Sequence, residues 1–148
     1  MKARHHARVL ALQALYEIDC ANHPLGIVVE QRLAEADASR LAESFYRHLV
    51  VGVMKNKLVL DSFIHQYAPE WPLEQMAYVD RNILRMAILE FAIDNETPVK
   101  VAINEAVELA KTFGSDSAPR FINGVLGTLV KHRKAIAQAA RSATGEEE

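Results

Sequence analysis

The chain has one cysteine, one tryptophan, five prolines and six glycines in 148 residues. A lone Cys20 excludes an internal disulfide and argues against a cysteine-based zinc site. No apolar run approaches the roughly 20 residues a membrane-spanning helix needs. The basic start, MKARHHAR, is not followed by an apolar stretch with a cleavage site, which speaks against a secretory signal. Charge of one sign is also scarce. The formal net charge is −2, and Glu146, Glu147 and Glu148 supply −3 of it, so the remainder carries +1.

What is present fits a soluble, cytoplasmic, compact chain. Half the residues are apolar and 24% are charged, ordinary for a globular domain large enough to bury a core. Residues 1–138 are expected to fold together. Residues 139–148, with small side chains and terminal glutamates, read as a disordered tail. Cations gather at two places, Lys2, Arg4 and Arg8 near the start and Lys131, Arg133 and Lys134 in the last helix. Such clusters are more often solvated helix faces than nucleic-acid sites.

The periodicity predicts helices throughout, and the fold class is all-α. Apolar residues recur at helical spacing from Ala3 to about Cys20. Ser39 is placed to cap a long helix carrying Leu41, Phe45, Leu49, Val53, Leu60, Ile64 and Tyr67, which the segment Ala68-Pro69-Glu70-Trp71-Pro72 must end. Asp80 is read as the cap of the next helix. There, nine of the eleven residues from Ile83 to Ile93 are apolar and only Arg85 and Glu90 interrupt them, so this helix belongs in the middle of a bundle. Pro98 suits the first turn of the following helix. Gly114 stops it, and Ser115 or Ser117 starts the last one. Phe121, Ile122, Val125 and Leu129 form a core stripe in that last helix. Gly124 and Gly127 lie inside it and each costs about 1 kcal/mol relative to Ala. Close approach of a neighbouring helix is the expected reason for them.

The chemical constellations of enzymes are missing. No glutamate has a histidine three residues later, as an inward-facing di-iron site requires. No phosphate-binding Gly-rich loop, nucleophile elbow or H-E-x-x-H pattern occurs. Adjacent His5 and His6 diverge by about 100° on a helix and make poor joint metal ligands. Asn104, Glu105 and Glu108 read better as a solvated face, with Glu108 near Lys111, than as an acid/base pair. No catalytic residue, metal or cofactor is expected.

The first helix offers more. At about 100° per residue, Ala3, Ala7, Leu10, Ala11, Ala14, Leu15 and Ile18 share one face, which is a full core stripe. The other side holds Lys2, His5, Val9, Leu12, Gln13 and Tyr16. Lys2 and Arg4 sit at the helix N-terminus and Asp19 near its C-terminus, each opposed to the macrodipole. Cations kept where they are mildly destabilising point to an anion nearby, and an aligned Tyr16 offers an unpaired base a platform. Packing of this face against another helix is the competing reading, equally good for Val9 and Leu12.

Several blocks carry a family resemblance: Ala7-Arg8, Ala14-Leu15-Tyr16, Val79-Asp80-Arg81-Asn82-Ile83-Leu84-Arg85, and above all VAINEAVELAK and FINGVL between Val101 and Leu126. Together they resemble the NusB family of bacterial transcription antitermination factors over almost the whole chain. The resemblance implies about seven helices in two perpendicular three-helix bundles. It implies binding of single-stranded boxA RNA in ribosomal RNA leader transcripts, jointly with the small-subunit ribosomal protein NusE, in an RNA polymerase antitermination complex. Carried over by position, Arg4, His5, His6 and Arg8 match the family's arginine-rich start, and Gln13 and Tyr16 its exposed tyrosine region. Ser117, Arg120 and Phe121 match a second RNA-binding patch, and Asp80 and Arg81 a partner-facing surface. His5 and His6 stand where arginines are usual, which should weaken phosphate attraction. Ser117 replaces a common acidic residue, which should strengthen it. A homodimer that the partner displaces is compatible with the apolar helix surfaces.

Two other readings are weaker. The NusB-like domain of an RNA cytosine methyltransferase requires a further catalytic domain with a Gly-rich cofactor loop, where this chain has an acidic tail. A DNA-binding helix-turn-helix using residues 99–112 and 119–131 would present Asn123, Gly124, Gly127 and Thr128 to a groove, and these supply little base-edge chemistry.

Overall fold

A computed structural model describes residues 2–144, and these are all-helical. The helices are α1 (Lys2–Ala21), α2 (Leu25–Ala34), α3 (Arg40–Lys55), α4 (Lys57–Tyr67), α5 (Tyr78–Ile88), α6 (Val99–Phe113), α7 (Ala118–Leu129) and α8 (Arg133–Thr144). Short 3-10 turns lie at Leu73–Gln75, ahead of α5, and at Val130–His132, between α7 and α8. No helix among the described residues is long and apolar enough to cross a membrane. The chain divides into two compact units at Met54–Lys55, where its length alone suggested one.

The first unit is a three-helix group. Along α1 the predicted stripe is buried at Ala7, Leu10, Ala11, Ala14, Leu15 and Ile18, and Leu12 from the second face is buried with it. Ser39 caps α3 as expected, its Oγ accepting the Ala42 N–H at 3.1 Å. Tyr46, fully buried, donates its hydroxyl to the Val29 carbonyl at 3.0 Å and so joins α3 to α2. Glu17 ties α1 to α2 through His23 at 2.8 Å and Arg32 at 3.1 Å. The hydrogen bond from His23 outweighs burial and, with the Arg32 charge adding to it, holds the Glu17 carboxyl below its usual range.

The single long helix expected from Ser39 to Tyr67 is instead two. The break falls at buried Asn56 (φ −104°, ψ 14°), whose carbonyl accepts the Leu60 N–H at 2.9 Å and starts α4. Asparagine competes with helical backbone geometry, and an apolar period that continues across it conceals the break.

The second unit is built around α5, buried as its apolar run predicted. The interrupting Arg85 is 3% exposed and forms a two-pronged ion pair with Asp61 of α4, Nε–Oδ1 2.7 Å and Nη2–Oδ2 2.9 Å. Its Nη1 donates to Asn82 Oδ1 at 3.1 Å. Breaking such a pair from one side leaves a buried charge, at a cost of about 3–5 kcal/mol. The helix then widens into a π-helical segment, Leu89–Ile93, in which the Asp94 N–H reaches back five residues to the Leu89 carbonyl. Buried Glu90 lies in it and accepts the Thr97 hydroxyl at 3.0 Å.

Three expectations change in this unit. Asp80 does not cap α5: it is the third helical residue, the cap position is Ala77, and no side chain caps the end. Gly124 and Gly127 do not admit a neighbouring helix, because a Cβ at either would meet nothing within 4 Å. Close approach occurs at Gly114, where a Cβ would lie 2.7 Å from Ala118 Cβ and 2.9 Å from the Ala110 carbonyl oxygen. Residues 139–144, expected in a disordered tail, continue α8, which packs on the π-helical segment with Ile136 and Ala140 buried. The three terminal glutamates lie outside the described residues.

Candidate nucleic-acid interface

The first candidate patch belongs to the three-helix unit. Lys2, Arg4 and His5 are exposed on the opening turns of α1, His6 and Gln13 are half-buried, and Tyr16 is 40% exposed. No acidic residue lies in the first turn of α1. The Arg4 guanidinium sits over the Phe45 ring of α3, 4.3 Å from its centroid. Arg8 lies over the same ring at 5.2 Å but is only 4% exposed. Two cations on one aromatic ring are each held by its quadrupole. Arg8 therefore does not stand on the surface with Arg4. Its contact with Phe45 joins residues 37 apart in sequence, which helical spacing within α1 cannot reveal.

The second candidate patch belongs to the other unit. Ser117 is the residue before α7, and Arg120 is exposed one turn into the helix. Phe121 is not in the core stripe as expected, since Ile122, Val125, Leu126 and Leu129 fill that role. It is half-buried and meets Trp71 edge-on, with ring centroids 5.4 Å apart at 71°. The two rings form the shared wall of two adjoining clefts.

One cleft, about 370 Å³, brings Ser117, Arg120 and Phe121 together with Trp71, Met76 and Asp80. Asp80 Oδ1 is buried there without a hydrogen-bond partner among the described residues, and burial pushes its carboxyl above the usual range. Arg81, the other expected partner residue, donates to the Leu73 carbonyl at 2.9 Å and lies over the Tyr78 ring at 4.6 Å. It braces the chain ahead of α5.

The structure thus gathers Ser117, Arg120, Phe121 and Asp80 around one cleft and Lys2, Arg4 and His5 at one helix end. Sequence reasoning missed Phe45 and Trp71 as parts of these patches. Trp71 had a signal, because the sole tryptophan lies in a proline-flanked break, where a large ring is kept for contact rather than for continuing a helix. No group of three or more His, Cys, Asp or Glu side chains able to hold a metal occurs among the described residues.

These features define an all-helical protein that presents charged and aromatic surface. Residues 5–131 match the NusB family, and the chain belongs to it. It is 48% identical over 129 residues to the transcription antitermination protein NusB of Chloroflexus aggregans, covering 86% of each chain. The NusB of Dehalococcoides mccartyi is 47% identical over 139 residues, 94% of this chain and 95% of that one. Among solved structures, T. maritima NusB superposes with a TM-score of 0.80 at 30% identity, covering 86% of this chain and 90% of that one. A chain from the crystal structure of antitermination factors NusB and NusE in complex with dsRNA gives 0.79 at 25% identity, covering 94% and 98%.

Proposed function

We propose that this chain is a transcription antitermination factor that binds single-stranded boxA RNA of ribosomal RNA leader transcripts together with NusE, within an RNA polymerase antitermination complex in the cytoplasm. The observation that carries the reading is the α1 patch. Exposed Lys2, Arg4 and His5 sit at a helix N-terminus that already favours anions, and Tyr16 stands exposed farther along the helix. Cations attract phosphate without regard to sequence, while a ring stacks on an unpaired base. This combination suits a single strand better than a duplex. The α7 patch adds Ser117, Arg120 and Phe121. Asp80, half-buried at the α7 cleft, and Arg81, which braces the segment ahead of α5, are the partner-facing residues of this reading. The apolar helix surfaces are compatible with a homodimer that NusE displaces.

The test is a titration at fixed salt of labelled boxA-containing single-stranded RNA, its scrambled counterpart, duplex RNA and duplex DNA, each with and without NusE. The reading expects preference for the boxA single strand and tighter binding when NusE is added. Equal affinity for all four would reduce the chain to a non-specific polyanion binder. Preference for duplex DNA would favour a helix-turn-helix protein.

A further inference from the structure

We infer that the cleft between Tyr67, Trp71 and Gly124 receives one unpaired nucleobase of the bound RNA. This extends the RNA reading above to a site made by α4 and α7, and it rests on that reading. The cleft measures about 250 Å³ and adjoins the Asp80 cleft across the Trp71–Phe121 wall. That is below the roughly 300–1,000 Å³ of sites for whole drug-sized ligands, and suits a single heteroaromatic ring.

Four observations carry the assignment. First, Gly124 opens onto the cleft in the middle of α7, where only proline is a worse helix former. A Cβ there would meet nothing within 4 Å, so no neighbour in the fold requires the glycine. What the missing side chain preserves is the open space itself. Second, the rings are held in place: Tyr67 stacks on His132 with centroids 3.8 Å apart at 12°, and Trp71, 54% exposed, is fixed edge-on to Phe121. Rigid aromatic walls are what base stacking uses. Third, Arg120 and Phe121 line both clefts, so the site continues the α7 patch and has a cation available for the adjoining phosphate. Fourth, the rim carries one carboxylate, Glu70. It would repel a phosphate but accepts a hydrogen bond from a base N–H, whether the amino group of adenine, cytosine or guanine or the ring N–H of uracil, which favours a base over a phosphate there.

The experiment uses the full chain and a single-stranded boxA RNA in which 2-aminopurine, an amino-bearing base quenched by stacking, replaces each nucleotide in turn. Affinity, quenching and thermal unfolding are measured for the wild type, Gly124→Ala and Gly124→Leu. At one position the wild type should quench the probe. Gly124→Leu, which fills the cleft, should abolish that quench and weaken binding about tenfold, the loss of one stacked base. Gly124→Ala should largely retain both, and all three proteins should unfold cooperatively. Unchanged affinity and quenching in a folded Gly124→Leu protein would overturn the assignment. So would a Gly124→Leu protein that binds RNA normally but loses NusE, because a protein side chain would then occupy the cleft. If the wild type binds no RNA while remaining folded, the RNA reading itself fails and this site fails with it.

Discussion

The two candidate patches differ in how they present their chemistry. On α1 the charge comes first: Lys2, Arg4 and His5 are exposed, and one ring, Phe45, serves as the seat for Arg4 and Arg8. At α7 the rings come first, with Phe121 and Trp71 as cleft walls and Arg120 as the exposed cation among the expected residues. A charged patch acts through counterion release and is sensitive to salt, whereas stacking is much less so. Under the proposed function, the first supplies attraction and the second positions bases.

Substitution at Gly114 should break the second patch most severely. Gly114→Ala places a methyl 2.7 Å from Ala118 Cβ, at the first residue of α7. Overpacking of this kind costs about 1–3 kcal/mol, which thermal unfolding will register. If RNA binding survives in the folded fraction at full strength, the α7 patch contributes less than proposed.

Salt dependence separates the two patches next. Arg4→Ala should flatten the slope of log K against log salt by about 0.7, one phosphate contact on a single strand. Phe121→Ala should weaken binding by about 1–3 kcal/mol with the slope unchanged. Equal slope changes would erase the distinction between a charged and a stacking patch.

Asp80 offers a pH test confined to the second unit. Because burial raises its folded pKa, the ionised carboxyl opposes folding. That penalty is absent below the ordinary carboxyl value of about 4 and develops as pH rises through the raised folded value. Asp80→Asn should therefore be more stable than the wild type at neutral pH, and the advantage should vanish in acid. An advantage independent of pH would mean that burial of charge is not the cause.

The smallest effect concerns the C-terminus. Truncation after Thr144 should leave stability nearly unchanged, while truncation after Gln138 removes buried Ala140 and part of α8 and should lower it measurably. Equal melting temperatures would place 139–144 outside the cooperative fold.

Much of this architecture was legible because it is local. The α1 stripe follows from a 3.6-residue period, the burial of α5 from its nearly unbroken apolar run, and the Ser39 cap from one hydroxyl ahead of a helix. The misreadings involve contacts distant in sequence or local geometry that the apolar period conceals. Arg8 is buried and meets Phe45, which arrives from another helix. Asp80 looked like a cap, yet its carboxyl turns toward Gly114, with Oδ1 3.4 Å from where that residue's Cβ would stand. Asn56 breaks a helix that the apolar period carries straight through. Gly124 looked like a packing glycine, and only the absence of any neighbour identifies it with open space. Of the candidate site, the cations and Tyr16 could be read from the first helix. The ring that seats Arg4 and the tryptophan wall of the clefts required the fold.

Each patch is proposed to hold RNA, and both are tested together by the affinity of boxA single-stranded RNA for Tyr16→Ala, Phe121→Ala and the double variant at one salt concentration. Each single change is expected to weaken binding by about 1–3 kcal/mol, and the double variant to bind more weakly than either, with Tyr16→Ala barely altering stability because the ring is 40% exposed. Wild-type affinity in both folded single variants, or a double variant no weaker than one of them, would contradict the account.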